Sequence, residues 1–393
     1  MNYILFDDST RTNLLPLTFT RPVADIRIGI LTIREKWEKM LNSKTSSKTE
    51  TYLSEKFPLE FSIDDDNIWI NGSFCPNEKL VEEIAKLNPH ESLYASHTLL
   101  AVNSGDLRLD EMELDACKKF ESHAKPMRIE NPWDIFSKNG EAIQSDFDLI
   151  TKGRNSLLLS KTNQVIAPEN IFVEEGAIVE CAILNASTGP IYIGKDAEIM
   201  EGAIVRGPFA LCEHSALKLG AKIYGPTTVG PYSKVGGEVN NSVIIGYSNK
   251  GHDGFLGNAV LGEWCNIGAD SNNSNLKNNY AEVKLWNYEK EKFVPTGLTF
   301  CGLIMGDHSK CGINTMFNTG TVVGVNANIF GAGFPRNFVP SFSWGGAAGF
   351  TTYKLKDAFD VAEKVFERRG KVFDEIEKNI LTNVFDITEK YRK

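Results

Sequence analysis

The chain has 393 residues, enough for two or three domains with separate hydrophobic cores. Its 42 Lys and Arg against 51 Asp and Glu give a net charge of −9, which argues against a general nucleic-acid or anionic-membrane binder. The seven Cys form no CxxC pair, which argues against structural zinc and indicates a reducing compartment. A short apolar start and the lack of any 18-residue apolar run predict a cytoplasmic protein without a membrane span.

Residues 1–150 alternate between strand and helix patterns. YILFD is typical of a buried strand, IRIGILTIREKWEKML has helical spacing, and NSKTSSKTET is predicted to be a polar loop. DNIWING is a second strand, Asn77 begins an amphipathic helix, and ESLYASHTLLAVN is a third strand region. The pattern predicts an α/β domain over 1–150 that ends in a helical linker.

The middle of the chain carries a repeat of six residues. Eight branched aliphatic residues follow one another at this spacing from Ile193 to Val235, and the period returns from Met305 to Ile329. Helices have a period of 3.6 and strands a period of 2, so neither explains it. A triangular coil does, because each unit supplies one short strand, one corner and one inward aliphatic side chain. We therefore predict a parallel β-helix over 151–346, interrupted between about 240 and 256, with a hairpin projecting between about 272 and 300.

The spacing of apolar residues in 347–393 predicts helices with an apolar stripe. We expect this stripe to pack on the β-helix end or on a neighbouring subunit. Among the histidines, His252 lies in the interruption of the repeat, between Gly251 and Gly254. Irregular points in a sheet are enriched near active sites, so a functional His and a solvated loop His are both open readings of this context. His214 and His308 fall in regular repeats and are predicted to lie at solvent-exposed corners.

The run KGHDGFLGNAVLGEWCNIGAD resembles the acetyltransferase active site of the bifunctional GlmU family, roughly KxGHxxYxGDAxIGxxxNIGAG. That family joins a glucosamine-1-phosphate acetyltransferase to an N-acetylglucosamine-1-phosphate uridylyltransferase. The resemblance implies a left-handed β-helix, a homotrimer and acetyl-CoA as co-substrate. It also implies that His252 is the catalytic base, that Asn266 contacts the substrate and that Glu238 orients the His. The implied contacts to the amino-sugar phosphate are Lys222, Asn240, Phe255 and Lys277, and those to acetyl-CoA are Ile313 and Gly331.

The N-terminal run ILFDDSTRTNLLPLTFTRP resembles the nucleotide loop of the same family, LAAGxGTRLxPLTxxxPK. The nucleotide contacts that this resemblance implies are Arg11, Arg21, Asn71 and Gly72. Asp7 and Asp8 replace the loop glycines, and Ser73 stands where the family has a metal-binding Asp. Carboxylates repel phosphate, and a side chain prevents close backbone approach. A degenerate domain and a divergent uridylyl- or thymidylyltransferase therefore both stay open, and Mg²⁺ is expected only for the second.

These patterns predict a transferase of sugar-nucleotide biosynthesis that acetylates an amino-sugar 1-phosphate. One alternative is a sugar-1-phosphate nucleotidyltransferase, using UTP or dTTP, whose β-helix serves assembly. Another is a non-catalytic trimeric scaffold. No metal-binding residues are predicted.

Overall fold

The computed structural model describes residues 1–392, which form two compact units. The first unit comprises Met1–Leu14, Thr20–Ile26 and Leu31–Asn131. The second comprises Leu15–Phe19, Arg27–Ile30 and the chain from Pro132 onward.

The first unit contains a six-stranded mixed sheet in the order β2-β1-β3-β5-β4-β6. Its strands are β1 (Asn2–Phe6), β2 (Thr45–Lys48), β3 (Asn67–Asn71), β4 (Glu91–Ala95), β5 (Thr98–Asn103) and β6 (Lys118–Glu121). Its helices are α1 (Thr10–Asn13), α2 (Ile33–Leu41) and α3 (Glu78–Ile84). Ile4, Trp69 and Val102 are buried in its core. The predicted α/β character of this region is confirmed.

The polar segment predicted as a loop forms an edge strand instead. Thr45–Lys48 pairs in parallel with β1, and both Ser46 and Ser47 are buried. The backbone N–H of Ser47 donates to the Pro58 carbonyl at 3.0 Å, and the Ser46 hydroxyl donates to the Glu60 carbonyl at 3.2 Å. Composition alone missed this strand because small hydroxyl side chains can be buried once their hydrogen bonds are satisfied.

The second unit is built around a parallel β-helix with three faces. Face A contains Gln164–Ile166, Ile183–Asn185, Ile204–Arg206, Lys222–Tyr224, Glu238–Asn240 and Phe255–Gly257. Asn272–Asn273 and Met316–Phe317 form a separate pair. Face B contains Ile171–Val173, Ile191–Ile193, Phe209–Leu211, Thr227–Val229, Val243–Gly246, Val260–Glu263, Ile304–Met305, Val322–Val323 and Phe338–Val339. Face C contains Ile178–Val179, Glu198–Ile199, Ala216–Leu217, Lys234–Val235, Asn249–Lys250, Asn266–Ile267, Lys310–Cys311, Asn328–Ile329, Ser343–Gly346 and Gly349–Thr352.

The aliphatic residues of the six-residue repeat point into this β-helix. Val205, Leu211, Leu217, Ile223 and Val229 are all buried within one continuous core. Full burial of each such side chain contributes about 1.5–3 kcal/mol, so stacked coils stabilise one another. The predicted fold class, an α/β domain followed by a parallel β-helix and C-terminal helices, is confirmed.

The repeat is first shortened at Gly236 and Gly237, earlier than the predicted interruption. Val239 follows Val235 by four positions at this corner between faces C and A, whereas Ile223 follows Leu217 by six. Gly237 has φ +70°, and a Cβ there would lie 2.8 Å from the carbonyl oxygen of His252. The shortened corner therefore passes directly against the corner that carries His252.

The second unit also contains a hairpin outside the three faces and four α-helices. Lys284–Asn287 and Lys292–Pro295 pair in antiparallel fashion, which confirms the predicted hairpin. The helices are α4 (Pro132–Ser137), α5 (Asn139–Thr151), α6 (Leu355–Glu367) and α7 (Glu375–Ile387). The ring of Phe366, on α6, stacks on that of Trp264 with centroids 4.0 Å apart. The apolar stripe of α6 thus packs on a corner of the β-helix in its own chain.

Candidate active site

His252 lies at the corner of residues 251–254, where the chain passes from face C to face A. Its side chain is exposed, and its carbonyl oxygen accepts a hydrogen bond of 2.6 Å from the Lys250 ammonium. Lys250 occupies an inward position, because the register pairs it with the buried Val235 of the preceding coil. A lysine in the interior of the prism therefore holds the backbone of the corner that carries His252.

The interior position of Lys250 is energetically costly. Lys250 is 2% exposed and lines a small cavity together with apolar residues such as Leu256 and Ile267 and with the polar Ser271. Burial lowers its pKa from 10.5 to about 8, although the nearby Asp253 acts in the opposite direction. A buried ammonium is tolerated only where hydrogen bonds compensate its lost hydration. The bond to the His252 carbonyl provides such compensation.

A pocket of about 740 Å³ lies on the outer side of face C beside this corner. It brings together His252, Asn249 and Asn266, and the last two stand opposite each other on adjacent coils. Five cationic side chains line the same pocket, namely Lys218, Lys234, Lys310, Arg368 and Arg369. No lining residue that the structure describes is Asp or Glu. Such a concentration of positive charge in a concave site attracts anionic ligands.

Glycine residues create space on the floor of this pocket. Gly251 and Gly268 both belong to the lining. A Cβ added at Gly251 would meet no atom within 4 Å, so it would extend into open space. A Cβ at Gly268 would lie 2.4 Å from the carbonyl carbon of Gly312, so a side chain there would separate adjacent coils.

The C-terminal end of α6 forms one wall of the pocket. Val365, Arg368 and Arg369 project from it, and Arg369 donates to the Asn249 side-chain oxygen at 3.2 Å. Burial and the adjacent Arg368 lower the pKa of Arg369. On face C, the Lys310 ammonium donates to the His308 carbonyl at 2.8 Å, and burial lowers the pKa of Lys310 to about 8. Arg369 and Lys310 thus bring positive charge to the pocket, although burial removes part of their hydration.

A stack of aromatic rings runs along the corner between faces B and C and anchors α6. The rings of His214, Tyr232, Tyr247 and Trp264 follow one another at centroid distances of 4.7, 4.9 and 4.3 Å. His308 continues the stack 6.2 Å from Trp264 and is only 5% exposed. The expected solvent exposure is therefore correct for His214 and wrong for His308, because α6 covers the latter.

The other residues that the sequence predicted as substrate or acetyl-CoA contacts, or to orient His252, lie in different parts of the β-helix. Ile313 lines the same pocket as His252. Lys222, Glu238, Asn240 and Phe255 lie on face A and do not line it, and Glu238 accepts a hydrogen bond of 2.6 Å from Tyr224. Gly331 lies at an exposed corner after face C, and Lys277 lines a second pocket beside the hairpin.

The sequence reasoning missed the cations of the pocket. Lys234 and Lys310 each precede an inward residue of the repeat, so their outward position on face C could have been read from the spacing. Arg368 and Arg369 had no such signal, because only the docking of α6 brings them to the pocket.

The first unit shows what surrounds the N-terminal candidate residues. Asp8 accepts hydrogen bonds from Asn71 at 2.8 Å and from Arg128 at 3.0 Å. Arg11 lies 3.6 Å from Asp7, whose pKa is raised to about 6 by burial. Two of the residues that the resemblance assigns to a nucleotide, Arg11 and Asn71, thus contact the chain's own carboxylates.

Arg21 is buried, and Gly72 donates its N–H to the Phe6 carbonyl at 2.9 Å, so both belong to the packed interior of the first unit. Among residues 1–392, no group of three or more His, Cys, Asp or Glu could hold a metal ion. No helix in the same range is long and apolar enough to cross a membrane.

Comparison with known proteins agrees with the two-part organisation. Residues 3–155 match the family model described as sugar nucleotidyl transferase. A bifunctional sugar-1-phosphate nucleotidylyltransferase/acetyltransferase of Sulfurisphaera tokodaii is 28% identical over 144 residues, which cover 36% of this chain and 35% of that protein. The bifunctional protein GlmU of Methanocaldococcus jannaschii is 27% identical over 219 residues, which cover 55% of this chain and 48% of that protein. The matches thus span half or less of these two relatives.

Among solved structures, a UDP-N-acetylglucosamine acyltransferase from Campylobacter jejuni covers 60% of this chain and 83% of its own, with 14% identity and a TM-score of 0.29. These sequence matches agree with the predicted class, since the family model is that of a sugar nucleotidyl transferase and the first of the two relatives is named a nucleotidylyltransferase/acetyltransferase. More particularly, they confirm the resemblance to the bifunctional GlmU family.

Proposed function

We propose that the β-helix transfers the acetyl group of acetyl-CoA to the amino group of an amino-sugar 1-phosphate. The observation that carries this proposal is the pocket that His252 and Asn266 share, lined by five cations and, among the described residues, by no Asp or Glu. Both substrates carry phosphate groups, and cationic side chains form strong, charge-assisted hydrogen bonds with phosphate. The active-site run that resembles GlmU begins at this corner and supports the same assignment.

The chemistry requires a base and an oxyanion donor. The amine nitrogen attacks the thioester carbonyl carbon, and the His252 imidazole accepts the proton that the amine loses. The Asn266 side-chain amide donates a hydrogen bond to the oxyanion of the tetrahedral intermediate. The carbon–sulfur bond then breaks, and the leaving CoA thiolate takes up the proton from the imidazolium. Imidazole is the side-chain group that most often serves as general acid and base in enzymes.

Four of the cations in the pocket bind the substrates in this proposal. Lys218 and Lys234 project from face C on successive coils and bind phosphate oxygens of the substrates. Arg368 and Arg369 bind from the opposite wall, so that the ligand lies between the β-helix and α6. The backbone at Ile313 and Gly331 contacts acetyl-CoA, as the resemblance implies. The homotrimer implied by the resemblance also remains part of the proposal, with Lys222, Asn240 and Phe255 as acceptor contacts. Glu238 keeps its implied role of orienting His252.

The decisive experiment measures thiol release from acetyl-CoA with glucosamine 1-phosphate as acceptor. His252→Ala is expected to lower kcat/KM by about 10²–10⁴, the usual loss for a positioned general base. His214→Ala is a matched control, because His214 is also an exposed corner histidine but lies outside the pocket. Equal activity of wild type and His252→Ala, with the fold intact, would refute the assignment.

A second candidate function is nucleotidyl transfer by the first unit, which the match of residues 3–155 favours. We infer that this activity is weak, because Asp7 and Asp8 occupy the loop and contact Arg11 and Arg128. Pyrophosphate release from UTP or dTTP with Mg²⁺ and a sugar 1-phosphate tests it. Rapid release would overturn the inference.

A further inference from the structure

A second pocket of about 970 Å³ lies between the hairpin and the last coil of the β-helix. It is separate from the His252 pocket, since none of the residues that the structure describes lines both. Its size falls within the range of pockets that bind small molecules and cofactors.

One wall of this pocket is aromatic. Trp286 and Phe293 lie opposite each other on the two strands of the hairpin, so they share one face. Trp286 stacks on Phe338 of the last coil with centroids 4.3 Å apart, and Tyr391 meets it edge-on at 6.4 Å. Phe293 is 41% exposed, so an aromatic surface remains accessible at the pocket. Flat ligand rings stack favourably on such surfaces.

The other walls are cationic. Lys277, Lys284, Arg336 and Arg392 line the pocket, and none of the described lining residues is Asp or Glu. Lys277 donates to the Glu282 carbonyl at 2.8 Å, and Arg392 donates to the Thr388 hydroxyl at 2.8 Å. Both acceptors are neutral, although the carboxylates of Glu389 and Asp386 also act on Arg392. An anionic ligand in the pocket would gain charge-assisted hydrogen bonds from the cations that line it.

We propose that this pocket binds a nucleotide, with its base on the aromatic wall and its phosphates among the four cations. The combination is selective, since a free phosphate lacks the ring and a nucleoside lacks the charge. Two sources share this chemistry, namely a pyrimidine nucleotide and the adenosine end of CoA. The inference does not rest on the acetyl transfer proposed above.

Isothermal titration of the full-length chain with UTP, dTTP, CoA, uridine and pyrophosphate tests the proposal. We expect at least one nucleotide to bind, and uridine and pyrophosphate to bind at least about tenfold more weakly. The double variant Lys284→Gln/Arg336→Gln should raise the nucleotide Kd about tenfold or more, because charge-assisted contacts are lost. Lys292→Gln is the matched control, since Lys292 lies on the same hairpin but outside the pocket lining. Preference for UTP or dTTP over CoA identifies a pyrimidine nucleotide, and the reverse identifies CoA.

Several results would overturn the proposal. One is unchanged nucleotide affinity in the double variant, which would locate binding elsewhere, including residues 3–155. Another is a loss of nucleotide affinity in Lys292→Gln that equals the loss in the double variant. A third is no nucleotide binding by the wild type together with a changed oligomeric state of the double variant, which would make this surface a contact between copies. His252→Ala should bind the nucleotide with wild-type affinity. Failure of this proposal and failure of the proposed acetyl transfer are therefore distinguishable.

Discussion

Replacing Lys250 by Met should make the protein more stable and less active. The wild-type pKa of Lys250 is about 8 instead of 10.5 because the ammonium is buried. Since one pKa unit corresponds to about 1.4 kcal/mol, the buried charge costs about 3 kcal/mol at pH 7. Met has a similar length, carries no charge and fits an apolar interior. The lost bond to the His252 carbonyl offsets about 1 kcal/mol, so a net gain of about 2 kcal/mol is expected.

The pH dependence of this gain has a definite sign. The unfolded chain binds more protons at Lys250 than the folded protein between about pH 8 and 10.5, so wild-type stability rises with pH in that window. The cost is fully present below pH 8 and absent above 10.5. Asp253 and the buried Cys311 are the titratable groups that act on Lys250. The advantage of Lys250→Met should therefore decline steadily as the pH rises from 8 to 10.

Thermal unfolding of both proteins at pH 7, 8, 9 and 10 measures this difference. A gain of about 2 kcal/mol should raise Tm by roughly 4–8 °C at pH 7. Lys195→Met, at an exposed corner, is the control and should leave Tm nearly unchanged. Acetyl transfer by Lys250→Met should fall roughly 10–100-fold in kcat, because the corner that carries His252 is no longer held. A lower Tm at pH 7, or a gain independent of pH, would refute the reasoning.

Further predictions concern the pocket and the assembly. His252→Ala should lose about 10²–10⁴ in kcat/KM while His214→Ala stays near wild type, as thiol release from acetyl-CoA across pH 5–9 would show. Asn266→Ala should lower kcat/KM by less, roughly 10–10³-fold, and a complete loss of activity would indicate a structural role instead. Phe366→Ala should destabilise the protein by about 3 kcal/mol and raise KM, because the α6 wall loses its anchor on Trp264; unchanged urea unfolding and KM would contradict this. Light scattering at micromolar concentration should give a trimer, and a monomer would contradict that part of the proposal.

The amino-acid sequence was sufficient to predict the β-helix because each six-residue unit encodes its own inward residue. Val205, Leu211 and Leu217 are buried at the predicted spacing, and the hairpin and C-terminal helices also form where their patterns predicted them. These features depend on contacts between neighbours at short, repeated distances along the chain, so a periodic pattern records them. His252 and Asn266 were predicted as site residues from a motif within one short stretch of the chain, and both line the same pocket.

Only the tertiary structure decided how the pocket is completed. Arg368 and Arg369 line the pocket although they lie more than a hundred residues after Asn249 in the sequence. They reach it because Phe366 packs on the stack of aromatic rings. The same docking buries His308, which its local repeat predicted to be exposed. The strand at Thr45–Lys48 likewise depends on pairing with β1, not on its own composition. Packing between distant segments leaves no periodic trace in a single sequence, because its energy comes from surfaces that only the folded chain brings into contact.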